Sequence, residues 1–252
     1  MPIQSYHAKV NFPFVGEAPF YGVEIELEGF NADNFYAVEK ELEEFCIFKS
    51  DASLGRHKLG QGAEVVSGPM SFATHNYIWD NYFSKTKDYG LLASPRTGMH
   101  VHVSRPSEEE REKIWKLMNH DDFNWMIEQI AGRKPNKFSA RYGFNSEDQG
   151  DLYWRTYGNT RGRINLRNSA TIEFRLFNST LNREVFLTRL GFVKCVCEFV
   201  KDSKNANDFL EFVEFARNNG SPEFVKNARL NDAVEVYNAD HGVETPNSGL
   251  DW

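Results

Sequence analysis

The chain has 252 residues, of which 40% are hydrophobic, 14% are aromatic and 26% are charged. This composition excludes a disordered chain and supplies enough apolar surface for one large folded domain. The formal net charge of -7 disfavours a nucleic-acid groove, which needs a basic stripe to neutralise phosphates.

The composition and the N-terminal sequence also indicate a compartment. The first residues, MPIQSYHAKVNFPFVG, lack a basic start followed by an apolar stretch, and the apolar run around Phe192 is broken by Lys194 and Glu198. We therefore expect neither a secretory signal nor a membrane span, and a cytoplasmic protein. Three cysteines without C-x-x-C spacing predict buried reduced thiols rather than a disulfide set. These are Cys46, Cys195 and Cys197.

The first half of the chain alternates strand and helix patterns. Ser107, followed by three glutamates, is typical of a capping box at a helix start. The predicted elements are a strand over 21–28, a helix within 31–45, two strands flanking a glycine-rich loop within 47–67, a helix within 71–88, a strand over 99–103, and helices over 107–119 and 121–131.

The second half opens with residues 132–160, which lack periodicity and are predicted to be mostly irregular. A hairpin, a long helix and two shorter helices follow, and the polar tail is expected to fray. Their predicted bounds are 161–166 and 171–177 for the hairpin, 182–202 for the long helix, and the stretch before 227 for the short helices. We predict one domain over 1–237 and a tail over 238–252.

Four apolar runs carry polar or charged residues at alternate positions, which is the period of a β-strand. The runs are 21–28, 63–66, 99–103 and 171–177. The alternation predicts a buried face with Val23, Ile25, Leu27, Val101, Val103, Ile172, Phe174 and Leu176. It predicts an opposite face with Glu24, Glu26, Glu64, His100, His102, Glu173 and Arg175.

The second face would be an acidic patch if these strands share a sheet. Two carboxylates about 4 Å apart repel by about 4 kcal/mol at an effective dielectric near 20, so a divalent cation is their natural companion. Carboxylates with one or two imidazoles favour Mg or Mn over zinc. Taken singly, the pairs Glu24/Glu26 and Glu173/Arg175 are more typical of a solvated strand face, and His100/His102 fits either interpretation equally. The recurrence of the pattern across distant segments favours a metal site.

Arginines accompany this pattern. Arg163 and Arg167 share strand parity with Asn165, and guanidinium groups suit phosphate oxygens. Metals with arginines indicate phosphoryl transfer.

The ordered motifs GVEIELEG, SDASL, AEVVSGP, TGMHVHVS and TIEFRLFNSTLN resemble the amidoligase family of ATP-dependent carboxylate-amine ligases. That family belongs to the glutamine synthetase and glutamate-cysteine ligase superfamily, and the resemblance spans roughly residues 20 to 200. It implies an α+β fold like the glutamine synthetase catalytic domain, with a curved, mainly antiparallel sheet and helices on one face.

The resemblance also implies residue roles. Glu24, His100 and Glu173 would hold a metal that engages ATP, and Glu26 and Glu64 would hold a second metal near the acceptor carboxylate. His102, Arg163, Arg167 and Arg175 would contact ATP phosphates. Arg175, Glu26 and Glu64 would be the catalytic residues, with Asp51 and Ser53 positioning substrate.

The implied reaction joins a small-molecule or peptide carboxylate to an amine through an acyl phosphate, with ATP and two Mg or Mn ions. A homo-oligomer is left open. Two alternatives remain: a phosphotransferase of the guanidino kinase type, and a non-catalytic ligand-binding protein on the same fold.

Overall fold

The alternating residues of the first motif form a strand inside the sheet. In the computed structural model, the described residues are 15–30, 32–49, 54, 62–85, 89–136, 139, 161–204 and 206–243. Asp51 and Ser53 therefore lie outside the described residues. The strands of the described part are β1 (Tyr21–Glu28), β2 (Cys46–Lys49), β3 (Gly62–Ser67), β4 (Gly98–Ser104), β5 (Ile164–Asn165) and β6 (Thr171–Asn178).

These strands make one open, antiparallel sheet in the order β2-β3-β1-β4-β6-β5. The helices of the described part are α1 (Ala32–Leu42), α2 (Phe72–Lys85), α3 (Glu108–Asn119), α4 (Asn124–Ala131), α5 (Arg183–Asp202), α6 (Phe209–Asn219), α7 (Pro222–Asn227) and α8 (Leu230–Asp240). The α+β class and the antiparallel sheet are confirmed, and the specific likeness to glutamine synthetase stays a prediction.

The predicted buried face of the sheet is confirmed. Its eight apolar side chains are each no more than 3% exposed. Aromatic residues of α5 cover this face: Phe192 contacts Phe177 of β6, and Phe186 contacts Trp79 of α2 with ring centroids 5.3 Å apart. Burial of this surface is the main stabilising contribution to the fold.

Strand β6 contains a bulge. Val101 lies opposite Phe174 and Met99 lies opposite Phe177, so Arg175 and Leu176 together face the single residue His100. The extra residue interrupts the period of two, because Phe174 and Phe177 are three positions apart and both are fully buried. Leu176 is buried as predicted, but it lies in the bulge beside Arg175.

Local signals set the helix ends. Ser107 accepts a hydrogen bond from the backbone of Glu110, and the Glu110 carboxylate accepts from the backbone of Ser107, which confirms the predicted capping box. Gly132 ends α4 in the left-handed region with φ 70°. The helix α8 was not predicted, and it ends at Asp240, beyond the start of the predicted tail.

All three cysteines are free and buried, as predicted. Burial raises the pKa of the Cys195 and Cys197 thiols to about 12. Within the described part of the chain, no helix has both the length and the apolar character to cross a membrane.

Candidate metal centre

Strand register brings the predicted acids together. Glu26 of β1 lies opposite Glu64 of β3, and Glu24 lies opposite His100 of β4. On the other side of β4, His102 lies opposite Glu173 of β6. Neighbouring strands lie about 4.8 Å apart, so these pairs place polar side chains from four adjacent strands on one small area of the sheet.

The first metal-ligating group comprises Glu24, His100 and Glu173. Each offers one ligand atom, and the three atoms lie within 4.8 Å of one another. The His100 Nδ1 atom lies 3.2 Å from Glu24 Oε2 and 3.3 Å from Glu173 Oε1. This is the trio that the motif resemblance assigns to one metal.

The second group comprises Glu26, Glu64 and His100, with ligand atoms again within 4.8 Å of one another. All three side chains are buried. Glu26 Oε2 accepts a hydrogen bond of 2.6 Å from the backbone N–H of Gly98, which fixes the orientation of its carboxylate. The two groups share His100 and together form the acidic centre: Glu24, Glu26, Glu64, His100 and Glu173.

His102 lies beside this acidic centre. Its Nε2 atom lies 3.2 Å from Glu24 Oε1. Burial is the largest single influence on His102 and lowers its pKa, but the interactions with Glu24 and the charge of Glu173 together outweigh burial, and the net pKa is raised. Burial correspondingly raises the pKa of Glu24, and the two histidines more than reverse this, holding it well below its ordinary value.

Both oxygens of Glu173 have fixed partners. Arg175 Nη1 forms an ion pair with Oε1, and Asn165 Nδ2 donates a 2.8 Å hydrogen bond to Oε2. The backbone N–H of Arg167 donates to Asn165 Oδ1, at 3.2 Å. This contact leaves the Asn165 amide nitrogen facing Glu173. Sequence reasoning used Asn165 only for parity and missed this role.

Comparisons with known proteins add little to this geometry. No family model matches the chain, and no curated protein matches it. Among solved structures, the complex between the prokaryotic ubiquitin-like protein Pup and its ligase PafA is similar, with a TM-score of 0.40 and 8% identity. The alignment covers 88% of this chain and 64% of that chain. A similarity this low supports no statement about activity.

The described hydrogen bonds of Arg163 lead away from the acidic centre. Its Nη1 donates to the Met118 carbonyl at 3.1 Å and its Nη2 donates to Asn124 Oδ1 at 2.7 Å. The side chain is buried and ties the β5–β6 hairpin to α3 and α4. Strand parity could not indicate these contacts, because Arg163 precedes the two-residue strand β5, where alternation does not apply. The expected role of Arg163 at a phosphate stays a prediction.

Arg167 follows β5 and is exposed. Its backbone N–H donates to Asn165, which in turn donates to Glu173. Its predicted contact with ATP stays a prediction.

Arg133, which the sequence did not single out, borders the centre. Its Nε donates to the Leu176 carbonyl at 3.0 Å and its Nη2 donates to the Arg175 carbonyl at 2.9 Å. These are the two carbonyls of the β6 bulge. Residue 133 lies in the stretch without periodicity, so no pattern could have indicated it.

The donor set fits a hard divalent cation. Carboxylate oxygens with one imidazole suit Mg or Mn, and four buried or half-buried carboxylates benefit from added positive charge. Space is available because Gly98 has no side chain: a Cβ there would lie 3.3 Å from His100 Nε2 and 3.5 Å from Glu26 Oε2. ATP binding has no comparable geometric support in the described residues.

A cavity of about 500 Å³ lies at the other end of β1. Tyr21, Ser71, Thr74 and Lys194 line it, together with residues 16–19, 72 and 73. No residue of the acidic centre contributes to its lining, so the predicted chemistry and this cavity are separate features of the chain.

Proposed function

We propose that this chain is an ATP-dependent carboxylate–amine ligase. The observation that carries the proposal is the convergence of four carboxylates and one imidazole from β1, β3, β4 and β6, with the Arg175 guanidinium alongside. Structural ion pairs alone would not need so many acids at one place, because buried like charges oppose folding.

In this proposal Glu24, His100 and Glu173 hold one divalent ion, and Glu26 and Glu64 hold a second. Bound ions would neutralise phosphate charge and hold the reactants in line. The protein's own contribution is to fix these ligands before any substrate binds. Gly98 donates a hydrogen bond to Glu26, and Asn165 donates one to Glu173.

The positive side chains have separate proposed roles. Arg175, held against Glu173, stabilises the phosphoryl group during transfer, and His102 contacts a phosphate of ATP. The substrate carboxylate attacks the γ-phosphorus and ADP leaves, which gives an acyl phosphate. The amine then attacks the acyl carbon, phosphate leaves, and the amine loses a proton. No protein nucleophile takes part.

The reaction is tested by incubating the protein with ATP, Mg and a metabolite extract. Mass spectrometry should find a new species formed from a carboxylate and an amine with loss of water, together with ADP. A phosphorylated product without an amide would instead identify a phosphotransferase, and failure to bind ATP and metal in calorimetry would favour a non-catalytic binding protein.

The ligands are tested by Mn binding in two matched variants. Glu24→Ala should weaken Mn binding at least about 100-fold, which corresponds to about 2.7 kcal/mol, because a carboxylate of the first group is lost. Glu28→Ala is the control, since Glu28 lies on the same strand but pairs with the exposed Arg96 at 2.5 Å. Equal Mn affinity in both variants, measured by calorimetry, would reject the proposed site.

A further inference from the structure

Arg133 is held as a rigid cation at the edge of the acidic centre. The Nε and Nη2 atoms form one edge of a guanidinium, and in Arg133 that edge is bound to the carbonyls of Leu176 and Arg175. The bulge of β6 frees these carbonyls from regular pairing with β4. The remaining fork, formed by Nη1 and the second Nη2 proton, is therefore fixed in direction.

This fork has no carboxylate partner in the described part of the chain. Both described hydrogen bonds of Arg133 go to main-chain carbonyls, and no described acid lies within 4.0 Å of it as an ion pair. The neighbouring Arg175 differs, because its charge is paired with Glu173. A half-buried guanidinium with an unused fork is a binding group for a planar anion.

The fork lies on the Glu26 side of the acidic centre. Arg133 Nη2 lies 3.6 Å from the point where a Cβ on Gly98 would stand, and Glu26 Oε2 lies 3.5 Å from the same point. Arg133 is thus next to the second metal-ligating group, whereas Arg175 is next to Glu173 of the first. The charge of Glu26 acts on Arg133, since it opposes the lowering of the Arg133 pKa that burial produces.

We infer that Arg133 binds the carboxylate of the acceptor substrate through this fork, on the Glu26 side of the centre. The inference rests on the proposed function, which places the nucleotide at the first group and the acceptor at the second. A guanidinium fork binds both oxygens of one carboxylate, so Arg133 would select an acid over the corresponding amide and orient it for attack.

The test uses ligand-observed NMR titrations of the Mn-loaded protein with glutarate and with glutaramide, its neutral counterpart. The wild-type protein should bind glutarate at least about tenfold more tightly. Arg133→Gln should remove most of this preference, while binding of a nonhydrolysable ATP analogue changes less than about threefold. The preference of Arg133→Lys for glutarate should lie between those of the wild type and Arg133→Gln, because a lysine keeps the charge and loses the fork.

Arg217→Gln is the matched control, because Arg217 is exposed on α6 and bonds only Asn231 among the described contacts. Its preference for glutarate and its affinity for the ATP analogue should equal those of the wild type. Thermal unfolding of each variant separates lost binding from lost folding. If Arg133→Gln does not fold, the change in glutarate preference is measured in Arg133→Lys.

Two outcomes would overturn the inference. The first is a fall in nucleotide affinity with glutarate binding intact, since Arg133 would then contact a phosphate. The second is an unchanged preference for glutarate in both Arg133 variants, or no preference in the wild type. Failure of the proposed function is distinguishable, because it appears in the wild type as absent binding of Mn and of the ATP analogue.

Discussion

Histidines on the two sides of the sheet have pKa values that are shifted in opposite directions. On the polar face, His102 lies 3.2 Å from Glu24 and its pKa is raised. Under the helix layer, His75 of α2 is fully buried, and burial lowers its pKa to about 4 although the Tyr21 carbonyl opposes this. The difference shows that the partner, and not burial alone, decides in which direction the pKa of an interior imidazole shifts.

The neutral state of His75 follows from its hydrogen bonds. Trp79 Nε1 donates to His75 Nδ1 at 3.0 Å, so the ring proton is on Nε2, which donates to the Tyr21 carbonyl at 2.8 Å. A second proton on Nδ1 would break the bond from Trp79. The helix side of the sheet therefore contributes stability, whereas we assign chemistry to the polar side.

The largest effect should come from the helix side. Phe186→Ala removes a fully buried ring that contacts Trp79 and Phe83, so it should lower the free energy of unfolding by about 4 kcal/mol. Urea unfolding measures this, and Mn affinity should not change. Tyr77→Ala, at a side chain of α2 that is 76% exposed, should cost less than about 0.5 kcal/mol. A loss of Mn affinity in folded Phe186→Ala would contradict the separation of the faces.

A slightly smaller effect should appear on acidification. The pKa of His75 is about 4 in the folded state and 6.5 ordinarily, so the unfolded chain binds the proton more readily between these values. Stability should fall as the pH drops from about 6.5 to about 4, by about 3 kcal/mol in total. The comparison is with His75→Gln, which retains a donor and an acceptor and does not titrate. Parallel stability curves for the two proteins over this range would refute the assignment.

The smallest effect should come from a single methyl group on the polar face. In Gly98→Ala the added Cβ would press on His100 Nε2 at 3.3 Å, so Mn affinity should fall about tenfold, or about 1.4 kcal/mol. Gly22→Ala is the control, because a Cβ there would meet the nearest atom, His102 Cβ, at an ordinary 3.6 Å. Calorimetric titration with Mn compares them, and equal affinities would show that the space beside Gly98 is not used.

The polar face could be predicted to a useful degree from the sequence. The period of two places Glu24, Glu26 and His100 on one side of their strands without knowledge of the pairing. The pairing itself could not be derived, because a shift of one residue between β1 and β3 would separate Glu26 from Glu64. The motif resemblance supplied the expectation that these segments converge.

The sequence failed where local periodicity carries no information. The contacts of Arg163 could not be derived from the sequence, because they are made to α3 and α4, which are distant in the chain. Arg133 was missed because its position depends on the bulge in β6. Helix α8 was missed, although Leu230 and Ala233 show helical spacing and are buried.

The bulge adds one residue to β6 that the pairing with β4 does not require. Beyond Arg175 the strand runs one residue out of step with β4. A deletion of Leu176 would leave one residue between Phe174 and Phe177, so both rings could stay in the interior with Glu173 still beside His100. It would nevertheless remove the carbonyl that accepts from Arg133 Nε. A single codon removed from this strand should therefore spare the pairing of the sheet and release the guanidinium.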